Sequence, residues 1–265
     1  MRAAESARPD ALFDDPFAER LAGDLGRDMI AGIRGKWGNT SWPMVTRTVL
    51  IDQLVRRSIT AGADRILNLA AGFDTRPYRM TLPAQLEWVE ADLPALIEEK
   101  TKALAGETPR CRLQSVAVDL ASPAERGAFL DRALAGARHA LVLTEGLLIY
   151  LEPDTVRSLG RDLRARSEVS WWVHDLASPA ILRMMRESFA PQLGDSAAFR
   201  FAPAEGVRFF KELGWRPVDI VSMVREARRL RRLPFLIRLF SYLPDADPEN
   251  PGKRPWSAVV RHERG

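Results

Sequence analysis

Arg65-Ile66-Leu67-Asn68-Leu69-Ala70, running into Ala71-Gly72-Phe73-Asp74-Thr75, is the stretch that decides the architecture. It is a short apolar run closed by a glycine turn, which predicts a strand buried inside a sheet. Four more such runs follow, at 86–91, 113–118, 140–143 and 169–173. Helix-like segments lie between them. Residues 94–104 form one, and Ser122-Pro123-Ala124-Glu125 is a capping box with proline at the first helical position. Asp154 is expected to cap a further helix, and 203–213 to form another, closed by Gly214. Upstream, 44–59 reads as a helix with Val45, Val49, Leu54 and Val55 on one arc. Residues 218–223 and 258–261 supply two last strands. Strands separated by helical crossovers predict a mostly parallel, right-handed α/β sheet.

Composition narrows the class. The chain has 265 residues, 46% hydrophobic and 28% charged, with 39 Lys+Arg against 35 Asp+Glu, for a net charge of +4. That is ordinary for a folded domain and excludes disorder. One cysteine, Cys111, excludes a disulfide scaffold and a cysteine-based zinc site, and no metal is expected. No window is apolar for long enough to cross a bilayer, and Met1 to Asp15 is too charged for a signal peptide, so a cytoplasmic protein is expected. The modest charge argues against nucleic acid as a partner. With no linker or repeat, one domain over 1–265 is expected. The segments 1–43 and 224–254 fall outside the core pattern and are candidates for a lid.

Ligands of open α/β sheets bind beyond the carboxyl ends of the strands. Those ends carry Gly72 and Asp74, Glu90 and Asp92, Asp119, Glu145, and His174 with Asp175. Asp92 follows Gly72 by 20 residues, the interval at which an acid grips ribose hydroxyls. The chain nevertheless has no Gly-x-Gly, so the turn is poorly suited to a pyrophosphate. An acid at 74 would repel phosphate and suit a cation. A nucleoside with a ribose, no phosphate and a cationic end is S-adenosyl-L-methionine. A nicotinamide-dependent oxidoreductase is the alternative that the 20-residue interval keeps open, and the missing Gly-x-Gly counts against it.

Asn68-Leu69-Ala70-Ala71-Gly72-Phe73-Asp74-Thr75-Arg76-Pro77-Tyr78-Arg79 resembles the signature of the leucine carboxyl methyltransferase family, which includes tetracenomycin-type polyketide O-methyltransferases. Glu90-Ala91-Asp92-Leu93-Pro94, Val118-Asp119-Leu120 and Thr144 to Leu151 agree in order and spacing. So do Arg47-Thr48-Val49-Leu50-Ile51-Asp52 and Phe209 to Trp215. Ala70 departs from the pattern, which has glycine there; its methyl is tolerable if φ is negative. The resemblance implies a Rossmann-like class I α/β fold, mostly parallel with seven strands, one antiparallel, and an O-methyltransferase that uses S-adenosyl-L-methionine on a carboxylate or hydroxyl of a small metabolite or polyketide-like acceptor. It implies that Arg47 pairs with the cofactor carboxylate, that Gly72 lets the backbone pass close, and that Asp92 holds the ribose. Asp119 and Leu120 would meet the adenine, and Glu145 the ammonium or sulfonium end. A protein that binds this cofactor without catalysis is the other reading.

Further positions carry two or more readings. Arg2 either reaches the cofactor carboxylate or belongs to a disordered terminus. His174 is either a general base or structural, and Tyr150 either lines the acceptor pocket or packs. Residues 225–240 hold six arginines among apolar side chains. They form a solvated arginine face over packed apolar residues, a lid, or a membrane-surface helix. Trp37 and Trp42 flank a glycine-rich loop, Gly32 to Gly38, that could cover the pocket.

Overall fold

In β1 (Arg65–Leu69), Leu67 and Leu69 face one hydrophobic cluster and Ile66 the other, so the strand is covered on both sides. The computed structural model describes residues 1–23, 41–193 and 199–265. Before β1 come α1 (Arg2–Ser6) and, directly preceding it, α2 (Trp42–Thr60). After it come α3 (Arg76–Arg79), β2 (Glu87–Asp92), α4 (Pro94–Ala103), β3 (Arg112–Ala117), α5 (Pro123–Leu134) and β4 (Ala140–Thr144). Next are α6 (Pro153–Arg164), β5 (Val169–Ala177), α7 (Pro179–Leu193), α8 (Arg208–Lys211) and β6 (Trp215–Ser222). The chain ends with α9 (Met223–Arg229), α10 (Phe235–Phe240) and β7 (Ser257–Arg264).

The seven strands form one sheet in the order β3-β2-β1-β4-β5-β7-β6. All neighbours are parallel except at β7, which runs antiparallel to both β5 and β6. The chain leaves β1 in one direction for β2 and β3 and crosses to β4 on the other side. This places the switch point, and the crevice it opens, between β1 and β4. One face carries Phe129, Leu130, Leu159, Trp172, Phe210 and Trp215; the other carries Leu50, Ile51, Leu54 and Val55 of α2.

Several expected boundaries move. β5 runs past residue 173 to Ala177 because β7 pairs with it along that length, His174 lying opposite Val260. The helix expected over 203–213 shrinks to α8. Gly206 there has φ +54 and sits so close to Pro248 that a Cβ would meet its carbonyl oxygen at 2.0 Å, so the segment turns before a helix can start. Glu152, not Asp154, is the N-cap residue of α6; Pro153 takes the first turn, where Asp154 is the acidic residue. Ser122 does accept from the Glu125 amide, at 3.4 Å, while Glu125 returns to the Asp119 amide at 3.3 Å. The glycine-rich loop from Gly32 to Gly38, with Trp37, lies outside the described residues.

Candidate functional site

The turn after β1 is built on two left-handed residues, Ala70 at φ +54 and Gly72 at φ +47. Ala70 thus occupies the conformation that its methyl disfavours, contrary to the negative angle expected of it. The turn brings the Gly72 amide to the end of β2, where it donates to Asp92 Oδ2 at 2.6 Å. Asp92 Oδ1 accepts the Leu93 amide at 2.8 Å. Beside this pair opens a cavity of about 190 Å³, lined by Leu69, Ala70, Asp92, Leu93, Val118, Asp119 and Leu120 from the ends of β1 to β3. Leu147, Leu151, Thr155 and Leu159 close its other wall. Arg126 also touches it, but that guanidinium is held by Asp162, Ser158 Oγ and the Leu120 carbonyl. Asp119 Oδ1 accepts the Ala121 amide at 2.8 Å.

The donor set fits a nucleoside. Asp92 retains lone pairs beyond its two backbone bonds, the number a vicinal diol needs. The remaining wall is apolar enough for a flat base.

A second cluster lies beyond β1, β4 and β5. Arg47, on α2, donates from Nε to Glu145 Oε1 at 2.9 Å and from a terminal nitrogen to Asp175 Oδ2 at 3.2 Å. The other oxygen of Asp175 accepts the Gly146 amide at 2.6 Å. Behind them Arg76 is buried, bridging Asp52 Oδ1 (2.7 Å), Asp74 Oδ2 (2.8 Å) and Glu145 Oε2 (2.8 Å). Arg79 closes the network on Asp52 at 2.7 and 2.8 Å. The linked group therefore has four carboxylates and three guanidinium groups. Burial pushes the Glu145 carboxyl up, but Arg76 and Arg47 outweigh it and hold it below the usual range. Glu145, Asp175 and Arg47 are its partly open members, with side chains 19%, 22% and 23% exposed, two carboxylates to one guanidinium. Excess negative charge at an open end suits a cationic group.

Not every expected residue reaches the site. Asp74 is buried, its oxygens taken by Asn68 Nδ2, the Arg76 amide and the Arg76 guanidinium, each at 2.8 Å. Burial would raise its pKa; Arg76 and Lys100 hold it far below the ordinary value. It organises the turn rather than lining the cavity. His174 is fully buried, stacked on His262 at 5.0 Å and against Phe210 at 4.3 Å. Burial pushes its pKa down to about 4. It belongs to the core, because β5 continues past it, which favours the structural of its two readings. Tyr150 is 44% exposed and packs on Phe199 at 5.4 Å.

Arg2, read as belonging to a disordered end or a cofactor contact, sits in α1 and donates to the Phe73 carbonyl at 2.6 Å. The arm is clamped further by Asp15, which accepts from Thr75 Oγ1 at 2.8 Å. The sequence pattern assigns no role to Arg76 or Asp52, and marks Asp175 only as a strand-end acid. Arg76 and Asp52 lie inside the quoted sequence blocks, and Asp175 ends β5's inner part, but their convergence is a matter of three-dimensional packing. Glu90, another strand-end acid, points inward and is held by Lys100 Nζ at 2.8 and 2.7 Å.

The strand order, the antiparallel seventh strand and the crevice at the switch point define a class I methyltransferase fold. The chain belongs to the leucine carboxyl methyltransferase family, whose model matches residues 1–163. A Parafrankia protein named "Putative S-adenosyl-L-methionine-dependent methyltransferase" is 31% identical over 244 residues, covering 86% of this chain and 78% of that one. One of the same name from Mycobacteroides abscessus is 34% identical over 179 residues, covering 61% of this chain but 57% of its own length. The chain thus spans little more than half of that curated relative. A solved Thermobifida fusca structure, named as that of a "putative methyltransferase", superposes with a TM-score of 0.62 at 17% identity, covering 94% of this chain and 93% of that one. A DUF574 family protein from Streptomyces avermitilis gives 0.61 at 13% identity, covering 94% and 95%. These two bear on the fold alone.

Proposed function

We propose that the protein is an S-adenosyl-L-methionine-dependent O-methyltransferase acting on a carboxylate or hydroxyl oxygen of a small metabolite or polyketide-like acceptor. The observation that carries this reading is Asp92, locked to the Gly72 amide at 2.6 Å on the rim of an otherwise apolar cavity. Asp92 would hold the ribose, and Asp119 and Leu120 the adenine. Arg47 would take the cofactor carboxylate through its planar fork, and Glu145 would face the cationic end. When bound, the cofactor supplies an electrophilic methyl group on a sulfonium.

The chain's own part is positioning. Arg76 fixes Glu145 from behind, so the carboxylate is preorganised before ligand arrives. Asp175 fixes both Arg47 and the Gly146 amide. The arm residues Arg2 and Asp15 tie down the Phe73–Thr75 turn. With His174 sealed in the core, the reading favours an acceptor oxygen already ionised at neutral pH, which needs alignment and exclusion of water rather than a base.

Isothermal titration with S-adenosylhomocysteine, with NAD as control, tests the assignment. Binding of the first alone is expected, and Arg47→Ala should weaken it at least about tenfold, or 1.4 kcal/mol. Binding of NAD alone would restore the oxidoreductase reading. Tritiated methyl transfer to a panel of acids and phenols would then identify the acceptor class. Binding without transfer to any of them would favour a non-catalytic holder of the cofactor.

A further inference from the structure

From α9 to Leu243 the chain exposes large apolar side chains beside a run of arginines. Arg228 and Arg232 turn to the protein, whereas Arg225, Arg229, Arg231 and Arg238 are exposed along with most of the apolar residues. Arg232, whose side chain is 7% exposed, grips Glu5 at 2.8 Å and Asp10 at 3.0 Å on the N-terminal arm. Arg228 donates to the Ser241 carbonyl at 2.8 Å and lies 4.7 Å from the centre of the Tyr242 ring. Arg225 pairs with Asp245 and Arg229 with Glu226. Meanwhile Phe235, Leu236, Leu239, Phe240, Tyr242 and Leu243 are 56–72% exposed. Of the three readings of this stretch, the solvated arginine face holds for four of the six arginines, but the apolar side chains of α10 are not packed beneath it.

Six large apolar side chains within nine residues form the kind of contiguous exposed patch that soluble proteins keep for contacts. Arg231 and Arg238 have no carboxylate partner among the described residues, and both are exposed beside it. Residues 225–243 contain six arginines against a single acid, Glu226. We propose that this patch docks the protein on an anionic lipid surface, with α10 lying in the interface. The charge balance selects this occupant. A second copy docked on the same face would set the like-charged Arg231 and Arg238 pairs against each other. An anionic headgroup layer meets them with opposite charge, while the phenylalanine and leucine side chains enter the acyl boundary. No helix among the described residues is long and apolar enough to span a bilayer, so the contact is peripheral.

The patch is also wired to the site described above. Arg232 holds Glu5 of the arm, whose Arg2 holds the Phe73 carbonyl of the cofactor turn. Docking would therefore act on the same arm that braces that turn.

Co-sedimentation of the full chain with phosphatidylglycerol–phosphatidylcholine vesicles, and with pure phosphatidylcholine vesicles, tests this. The protein is expected to pellet with the anionic vesicles at low salt and to be released by high salt. The double variant Phe235→Ser/Phe240→Ser should lower the partition constant at least about tenfold, since both side chains are exposed and their loss leaves the core intact. A second variant, Arg231→Glu/Arg238→Glu, should abolish the preference for anionic lipid. Failure to pellet with anionic vesicles, or undiminished binding by both variants, overturns the proposal. So does a dimer in gel filtration that the serine variant dissociates, because a second copy would then own the patch.

Discussion

Asp92 Oδ2 accepts the Gly72 amide at 2.6 Å, joining the end of β2 to the turn after β1 across 20 residues of sequence. The bond places one carboxylate where a ribose diol would lie and pins the turn that leads past it. Asp92→Ala removes both effects. Affinity for S-adenosylhomocysteine should fall at least about tenfold by titration calorimetry, with the circular dichroism spectrum unchanged. Undiminished affinity would dissociate the cavity from cofactor binding.

Ala70 stores strain at the same turn. An L-residue in the left-handed region costs about 1–2 kcal/mol, and glycine recovers most of it at some loss of unfolded-state restriction. Ala70→Gly should therefore stabilise the protein by about 1 kcal/mol, raising Tm by about 2 °C in calorimetry. A lower Tm would show that the methyl group's packing on the cavity wall outweighs the backbone cost.

Lys100 and Glu90 form a buried pair, with side chains 5% and 1% exposed. Burial pushes the Glu90 carboxyl up to about 7 even with Lys100 on it, the mark of a costly site. Lys100→Met strands that acid and should cost about 3–5 kcal/mol by urea unfolding. Adding Glu90→Gln to it should return much of the loss. Equal destabilisation by the single and double variants would argue against charge burial as the cause.

The stacked imidazoles of His174 and His262 couple stability to acid. Among the described residues His174 Nε2 has no hydrogen-bond partner. Burial pushes His174 down to about 4, and burial with the neighbouring ring holds His262 well below its ordinary value. Both are neutral in the fold, while the unfolded chain protonates them below about pH 6.5. Acid therefore favours unfolding. Stability should be full above that pH and fall by up to about 1.4 kcal/mol per unit per histidine as pH drops, the His174 share levelling off below 4. Urea midpoints from pH 7.5 to 4.5 would measure the slope, and His174→Phe should flatten it. A variant slope equal to that of the parent would assign the acid sensitivity to the carboxylates instead.

The parallel strands β1, β2, β4 and β5 were legible as largely apolar, buried runs, and the mostly exposed β3 through Leu113 and Val116 and the acid, Asp119, that follows it. The helix over 203–213 was misread because Gly206 answers to Pro248, a neighbour 42 positions away in sequence that no local pattern reveals. The end of β5 at Val173 was misread for a related reason, and His174 with it lies inside the strand. Its place at the end of an apolar run looked like a strand terminus, but antiparallel pairing with β7 carries β5 through to Ala177 and buries the ring.

The family, the order of the strands up to β5 and the identity of Gly72, Asp92, Asp119 and Glu145 as strand-end residues are written in local pattern and spacing, because strand formation and turn chemistry depend on near neighbours. Which strand-end acids face the cavity depends on long-range pairing. Asp92 stays at the rim, whereas Asp74 is drawn inward by Arg76 and Glu90 by Lys100. Burial and charge partners supplied by distant segments settle that choice. The same holds for the exposed apolar patch at 235–243, where Glu5 and Asp10 at the other end of the chain pull Arg232 inward.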